Sequence, residues 1–291
     1  MTKILVTGGH GQVGSELQFL AVQYPDFQLF FTDYQELDIT NQAAVLALFK
    51  EHRFQYCINC AAYTAVDKAE SEIEKAEDIN ITGSKNLAVA CQEYQAGLIY
   101  LSTDYVYHNS QNTPFKEGDA TNPQSVYART KLEGEQIAQA NNTLTTIIRT
   151  SWVYSSFGHN FVKTMIRLGK ERDQLKVIFD QIGTPTYARP LADAMLTMIQ
   201  KVSRGEVARE KLAGTYHYSN EGVTSWYDFA KAIFELERIE TKVFPIETKD
   251  YPTAAARPPF SVLNKTKVKD TFGIHIPHWR ESLQECLKAL R

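Results

Sequence analysis

The chain has little cysteine, no marked surplus of either charge and no long apolar run. Four cysteines in 291 residues are too few for the disulfide framework of a small secreted scaffold and fit a reducing cytoplasm. A formal net charge of −3 leaves no basic surface for nucleic acid. No stretch reaches the ~20 apolar residues that a membrane-spanning helix needs, and the first residues run directly into a glycine turn, so neither an anchor nor a secretory leader is expected. The seven histidines show no metal-ligand spacing. Internal repeats and low-complexity linkers are also missing, which excludes arrays and tethered modules. Cys57 and Cys60 look like a redox pair, but they fall in or at the end of an apolar strand, where residues three apart face opposite sides.

What is present is concentrated at the start. Ile4-Leu5-Val6-Thr7 is an apolar run that leads into Gly8, Gly11 and Gly14, followed by an amphipathic segment from Gln12 to Tyr24. That is the strand, turn and helix of a dinucleotide-binding unit. One glycine permits the turn, one admits a pyrophosphate to the backbone amides, and one lets the helix pack on the strand, while the helix N-terminus supplies positive potential. A second apolar run, Phe27 to Thr32, ends at Asp33, and 33 − 14 = 19 residues is the spacing at which a carboxylate meets an adenosine ribose.

Strand-like and helix-like segments then alternate up to about residue 200. Strands are expected at 4–7, 28–32, 56–59, 98–102, 145–149 and 175–179, with helices at 42–50, 83–94 and 127–140 among those between them. The pattern predicts an α/β fold, a doubly wound parallel sheet of Rossmann type with helices on both faces. After Gly214 the elements become short and mixed, with helices at 225–236, where Ser225 is a plausible N-cap, and 280–290. We therefore divide the chain into a dinucleotide-binding core of residues 1–150, to which 175–200 return, and a smaller substrate lobe formed by 151–174 and 201–291.

Ligands of such sheets gather beyond the carboxyl ends of the strands, and the polar clusters of this chain follow strand ends. Ala61 and Ala62, after the third strand, are small enough for a flat cofactor to lie on the backbone. Thr103 and Asp104 follow the fourth. Tyr127 and Lys131 open the next helix, four residues apart and so on one face. A free tyrosine titrates near ~10, and a neighbouring ammonium is expected to bring it toward neutral pH, where it can protonate a developing alkoxide.

These residues, in this order, resemble an extended short-chain dehydrogenase/reductase, and within that superfamily the dTDP-4-dehydrorhamnose reductase family. The matching text includes Gly8 to Gly14, Ala62 to Glu70, Ser102 to Tyr107, Val126-Tyr127 through Lys131, Arg149 to Tyr154, Asn160-Phe161, Trp226-Tyr227, and Arg257-Pro258 with Ser261. The resemblance implies reduction of the C4 ketone of dTDP-4-dehydro-L-rhamnose to dTDP-L-rhamnose by NADH or NADPH. Tyr127 would donate the proton, Lys131 would hold the nicotinamide ribose and tune Tyr127, and Thr103 would bond the carbonyl oxygen. Asn80 would support a proton relay. The cofactor would lie along Gly8, Gly11, Gln12, Val13, Gly14, Asp33, Asp38, Ile39, Ala61, Ala62 and Tyr63. The sugar would meet Thr103, Asp104 and Trp152, and the diphosphate Asn160 and Arg257.

Asp33, with no arginine near it in sequence, favours NADH modestly while leaving NADPH usable. Some members of the family are dimers bridged by magnesium through carboxylates. Glu16 matches one such position, but Arg189 stands where another carboxylate is expected, so no metal requirement is anticipated, and the chain is expected to be a monomer or homodimer. Two alternatives share the motifs: another nucleotide-sugar enzyme, an epimerase or dehydratase, and a non-catalytic nucleotide-binding subunit. The second has no use for Thr103, Tyr127 and Lys131 together.

Overall fold

The computed structural model describes residues 1–291. In chain order the main elements are β1 (Thr2–Thr7), α1 (Gln12–Leu20), β2 (Phe27–Thr32), α2 (Gln42–His52), β3 (Tyr56–Asn59), α3 (Ser84–Glu93), β4 (Gly97–Thr103), α4 (Val126–Asn141), β5 (Thr145–Thr150), α5 (Phe161–Glu171), β6 (Gln174–Ile178), α6 (Ala188–Ser203), β7 (Gly214–His217), α7 (Trp226–Glu237), β8 (Lys242–Ile246) and α8 (Trp279–Ala289). The central sheet has six strands, all parallel, in the order β7-β5-β4-β3-β1-β2. β1, β3 and β4 read as near-continuous apolar runs because both faces of the sheet are covered. On one face α1 and α6 pack together with Ile4, Val6, Leu17, Leu191, Met195 and Ile199 in their core. On the other, α2 and α3 bury Leu5, Phe49, Leu87 and Leu98.

The strand expected at 175–179 forms at Gln174–Ile178 but does not join the central sheet. It pairs in parallel with β8, and the sixth place beside β5 is taken by Gly214–His217. Burial alternates along Gln174, Leu175, Lys176 and Val177, the signature of a half-exposed strand, whereas a central parallel strand is apolar throughout. The β6–β8 ribbon and α5, α7 and α8 enclose a separate core built on Val162, Phe229, Ile233 and Leu283. Between the two parts of this second core in sequence, α6 returns to lie on α1.

Strand order reverses between β1 and β3, the switch point at which ligands of such sheets bind. The chain is drawn very close there. Gly8 has φ +68°, and a Cβ on it would stand 2.7 Å from the Ala61 nitrogen, so a side chain is excluded by both backbone conformation and space. Asn59 ties the two strand ends, accepting from the Thr7 hydroxyl (2.7 Å) and the Ala61 amide (3.1 Å). A Cβ on Gly14 would overlap the Gly8 and Gly9 carbonyls, which is how α1 approaches its strand so closely.

Candidate active site

A cavity of about 740 Å³ runs along the carboxyl ends of the sheet. At one end it is bounded by Asp33, Asp38 and Ile39, in the middle by Gly8, Gly11, Gln12, Val13, Ala61 and Ala62, and at the other by Thr103, Asp104, Tyr127, Lys131, Trp152 and Asn160. Most residues singled out in the sequence thus share one wall. Gly14 does not line it but packs α1 on the turn, and Tyr63 faces away. Alternation along the extended segment after β3 turns Ala62 and Thr64 inward and sends the Tyr63 hydroxyl to Glu72 (2.9 Å).

Local structure fixes each group. Asp33 directly follows β2, where its carboxylate accepts from the backbone amides of His10 (3.0 Å) and Tyr34 (2.8 Å). Asp38 accepts from the amide and hydroxyl of Thr40. Ser125 caps α4 by accepting from the Ala128 amide (3.2 Å), which starts the helix at Val126 and sets Tyr127 and Lys131 in its first turns. Thr103 closes β4, and its hydroxyl donates to Asp104 Oδ1 (3.2 Å).

Electrostatics at the reacting end differ from the expected picture. Tyr127 is not brought toward neutral pH. Burial pushes its phenol up to about 12, against the opposing hydrogen bond of Thr103. Burial also brings Lys131 down to about 7, opposed by Glu135 and Cys60, and its Nζ lies 4.1 Å from the Tyr100 ring centroid. Asp104, 2% exposed, is raised to about 7 by burial, with Ser261 and Thr103 opposing. Desolvation leads in all three, because protein packed around them at the foot of the cavity replaces most of the water a free side chain would have.

Three buried polar atoms on the cavity wall find no partner in the protein: Gln12 Oε1, Asp104 Oδ2 and Thr150 Oγ1. Buried polar groups are rarely left unpaired, so this wall is shaped for a polar ligand. Together with the close turn at Gly8 it fits a dinucleotide and a hydroxylated partner. Thr150 was not singled out in the sequence, although its place at the end of β5 was the available signal.

Two expected diphosphate contacts are otherwise engaged. Arg257 lies outside the cavity wall and donates to both carboxylate oxygens of Asp67 (2.7 and 3.1 Å) and to the Ala255 carbonyl (2.9 Å). Asn160 lines the cavity but caps α5, accepting from the Lys163 amide (3.1 Å) and donating to the Ser155 carbonyl (2.7 Å). Asn80, expected in a proton relay, is buried away from the cavity wall between the Tyr63 backbone and the Thr130 hydroxyl. Glu16 is fully buried, paired with Arg189 Nε (2.7 Å) and accepting from the Ser155 hydroxyl (2.7 Å). Cys57 and Cys60 are free thiols raised by burial.

Residues 1–291 match the family model described as the RmlD substrate binding domain. The chain belongs to the dTDP-4-dehydrorhamnose reductase family. It is 39% identical over 291 residues to the dTDP-4-dehydrorhamnose reductase of Aggregatibacter actinomycetemcomitans, covering 98% of each chain. A solved dTDP-4-dehydrorhamnose reductase from Clostridium acetobutylicum superposes with a TM-score of 0.93 at 44% identity, with 99% of each chain covered. One from Bacillus anthracis, in complex with NADP, gives 0.91 at 39% identity and the same coverage. The enzyme family and the geometry of the cavity therefore point the same way. No helix of this member is long and apolar enough to cross a membrane.

Proposed function

We propose that this enzyme reduces the C4 ketone of dTDP-4-dehydro-L-rhamnose to dTDP-L-rhamnose, the closing step in making that activated sugar. The observation that carries the reading is the meeting of Thr103, Tyr127 and Lys131 in the cavity that also holds the glycine turn and Asp33. When bound, reduced nicotinamide supplies the hydride. Tyr127 is the proton donor to O4, and the Thr103 hydroxyl bonds the same oxygen as charge develops there. Lys131 holds the ribose hydroxyls of the cofactor. Asp104 Oδ2 takes a hydroxyl of the sugar, and Asp33 takes the adenosine ribose, which favours NADH modestly with NADPH still used.

The Glu16–Arg189 pair supports independence from magnesium, because a carboxylate already neutralised by a guanidinium is a poor ligand for a divalent cation. Activity is expected to survive chelation, in a cytoplasmic monomer or homodimer. The division into core and substrate lobe is redrawn, with Gln174–Ile178 in the lobe and Gly214–His217 in the core sheet, and the sugar is held where the two meet.

The test is direct. Purified protein is incubated with dTDP-4-dehydro-L-rhamnose and NADH, and nicotinamide absorbance is followed. One cofactor oxidised per product supports the reductase. An epimerase or dehydratase gives product without net oxidation, and a regulatory subunit gives none.

A further inference from the structure

Four residues other than glycine have a positive φ: Arg53, Gln95, Trp152 and Arg238. Arg53 and Arg238 end helices and Gln95 lies just beyond α3, where the left-handed conformation is routine. Trp152 ends no helix. At φ +47° it is a bulky residue held in a conformation that persists only where its surroundings enforce it, and such residues cluster at functional sites.

The enforcing contacts are specific. The Trp152 indole lies flat on that of Trp226, with ring centroids 3.7 Å apart and planes 11° from parallel. Gly183 makes room for it, since a Cβ there would come within 2.7 Å of Trp152 Cε2 and Cζ2. Trp226 is itself fixed. It is the first residue of α7, whose N-cap Ser225 accepts from the Asp228 amide (3.0 Å), and Phe161 packs on it at 4.7 Å. Both indoles line the cavity. The stack thus joins the loop after β5 to the first turn of α7, and one of its faces is spent on the partner ring.

We infer that Trp226 is a positioning residue for the substrate: packed flat on one face of the Trp152 indole, it holds that ring so that its other face is the apolar wall for the sugar, and so sets affinity for the sugar but not for the nucleotide. This rests on the reading that a deoxysugar occupies the cavity. The methyl and C–H faces of such a sugar suit an aromatic surface, and removing the second ring frees the first to leave its strained conformation.

The stack is tested without substrate. Wild-type protein should give the far-ultraviolet circular-dichroism couplet of two stacked indoles, and Trp226→Phe should abolish it. In kinetics, Trp226→Ala should raise KM for dTDP-4-dehydro-L-rhamnose about tenfold or more, the scale of a lost apolar contact in a substrate pocket. The fall in kcat should be smaller, affinity for dTDP alone should be unchanged by calorimetry, and Trp226→Phe should recover most of the loss. Should Trp226→Ala not fold, Trp226→Leu keeps apolar volume without the ring and carries the same comparison. An unchanged KM, or an equal weakening of dTDP, overturns the inference. A wild-type enzyme that fails to reduce the sugar overturns the functional reading alone, and the couplet still decides the stack.

Discussion

Tyr127 and Lys131 stand one helical turn apart at the start of α4, and burial moves them in opposite directions, the phenol up to about 12 and the ammonium down to about 7. The phenol therefore keeps its proton throughout the neutral range, as a donor to a developing alkoxide must. Tyr127→Phe should bind cofactor normally and lose turnover by about two orders of magnitude or more, the usual scale of a general acid. Cofactor titration and single-turnover absorbance separate the two effects, and full turnover would remove Tyr127 from the chemistry.

Asp104 makes stability depend on pH. Its carboxyl ionises at the ordinary 3.8 when unfolded and near about 7 when folded, so between those values folding takes up a proton and stability declines as pH rises. Below pH ~4 both states are protonated and the residue contributes nothing, and above ~7 the full penalty of a buried carboxylate remains. Asp104→Asn should match wild type near pH 4 and be more stable at pH 8, by on the order of 2–4 kcal/mol. Denaturant melts across this range check it. A difference that does not vary with pH would mean that the folded carboxyl is ionised throughout.

Arg257 is committed to Asp67, so its role toward a diphosphate is separable from its role as a clasp. Binding through the guanidinium requires Arg257→Ala to weaken dTDP by about 2 kcal/mol, the scale of a charge-assisted hydrogen bond. Asp67→Asn, which loosens the clasp but keeps the arginine, should leave dTDP affinity equal or tighter. Calorimetry on both variants decides, and equal losses in the two would make the pair purely structural.

Cofactor choice turns on Asp33, whose carboxylate already gathers the His10 and Tyr34 amides. A 2′-phosphate there would meet like charge. Wild-type kcat/KM should favour NADH severalfold, and Asp33→Ala should narrow or reverse the ratio. A strong wild-type preference for NADPH in steady-state kinetics would show that Asp33 is not the ribose ligand.

The features legible in the sequence are those carried by local spacing. Gly8 to Gly14, the run that ends at Asp33, and Tyr127 with Lys131 each declare a turn, a strand end or a helical face within a few residues. The sixth strand was not legible, because Gly214–His217 is four residues long and its partner β5 is remote in sequence. Nor was the shift of Tyr127, since desolvation is a property of everything packed around it. Arg257 was read as a diphosphate contact, and its engagement was not legible because Asp67, its partner, comes 190 residues earlier. The capping role of Asn160 was within reach: an asparagine directly before an apolar helix start is a standard N-cap signal. Trp226 stands in the text that carries the resemblance without a role of its own, since stacking between a loop and the first turn of a helix leaves no periodic trace.

The late arrival of β7 has a consequence for how the molecule is made. Until Gly214–His217 leaves the ribosome, β5 presents an edge of unpaired amides and carbonyls, the template on which nascent chains pair with one another. Closing that edge requires a contact between distant parts of the chain, and such contacts form slowly. A fragment ending before Gly214 is therefore expected to aggregate instead of yielding a free-standing cofactor-binding half, and in the cell this stage of synthesis is the one at which chaperones have most to protect.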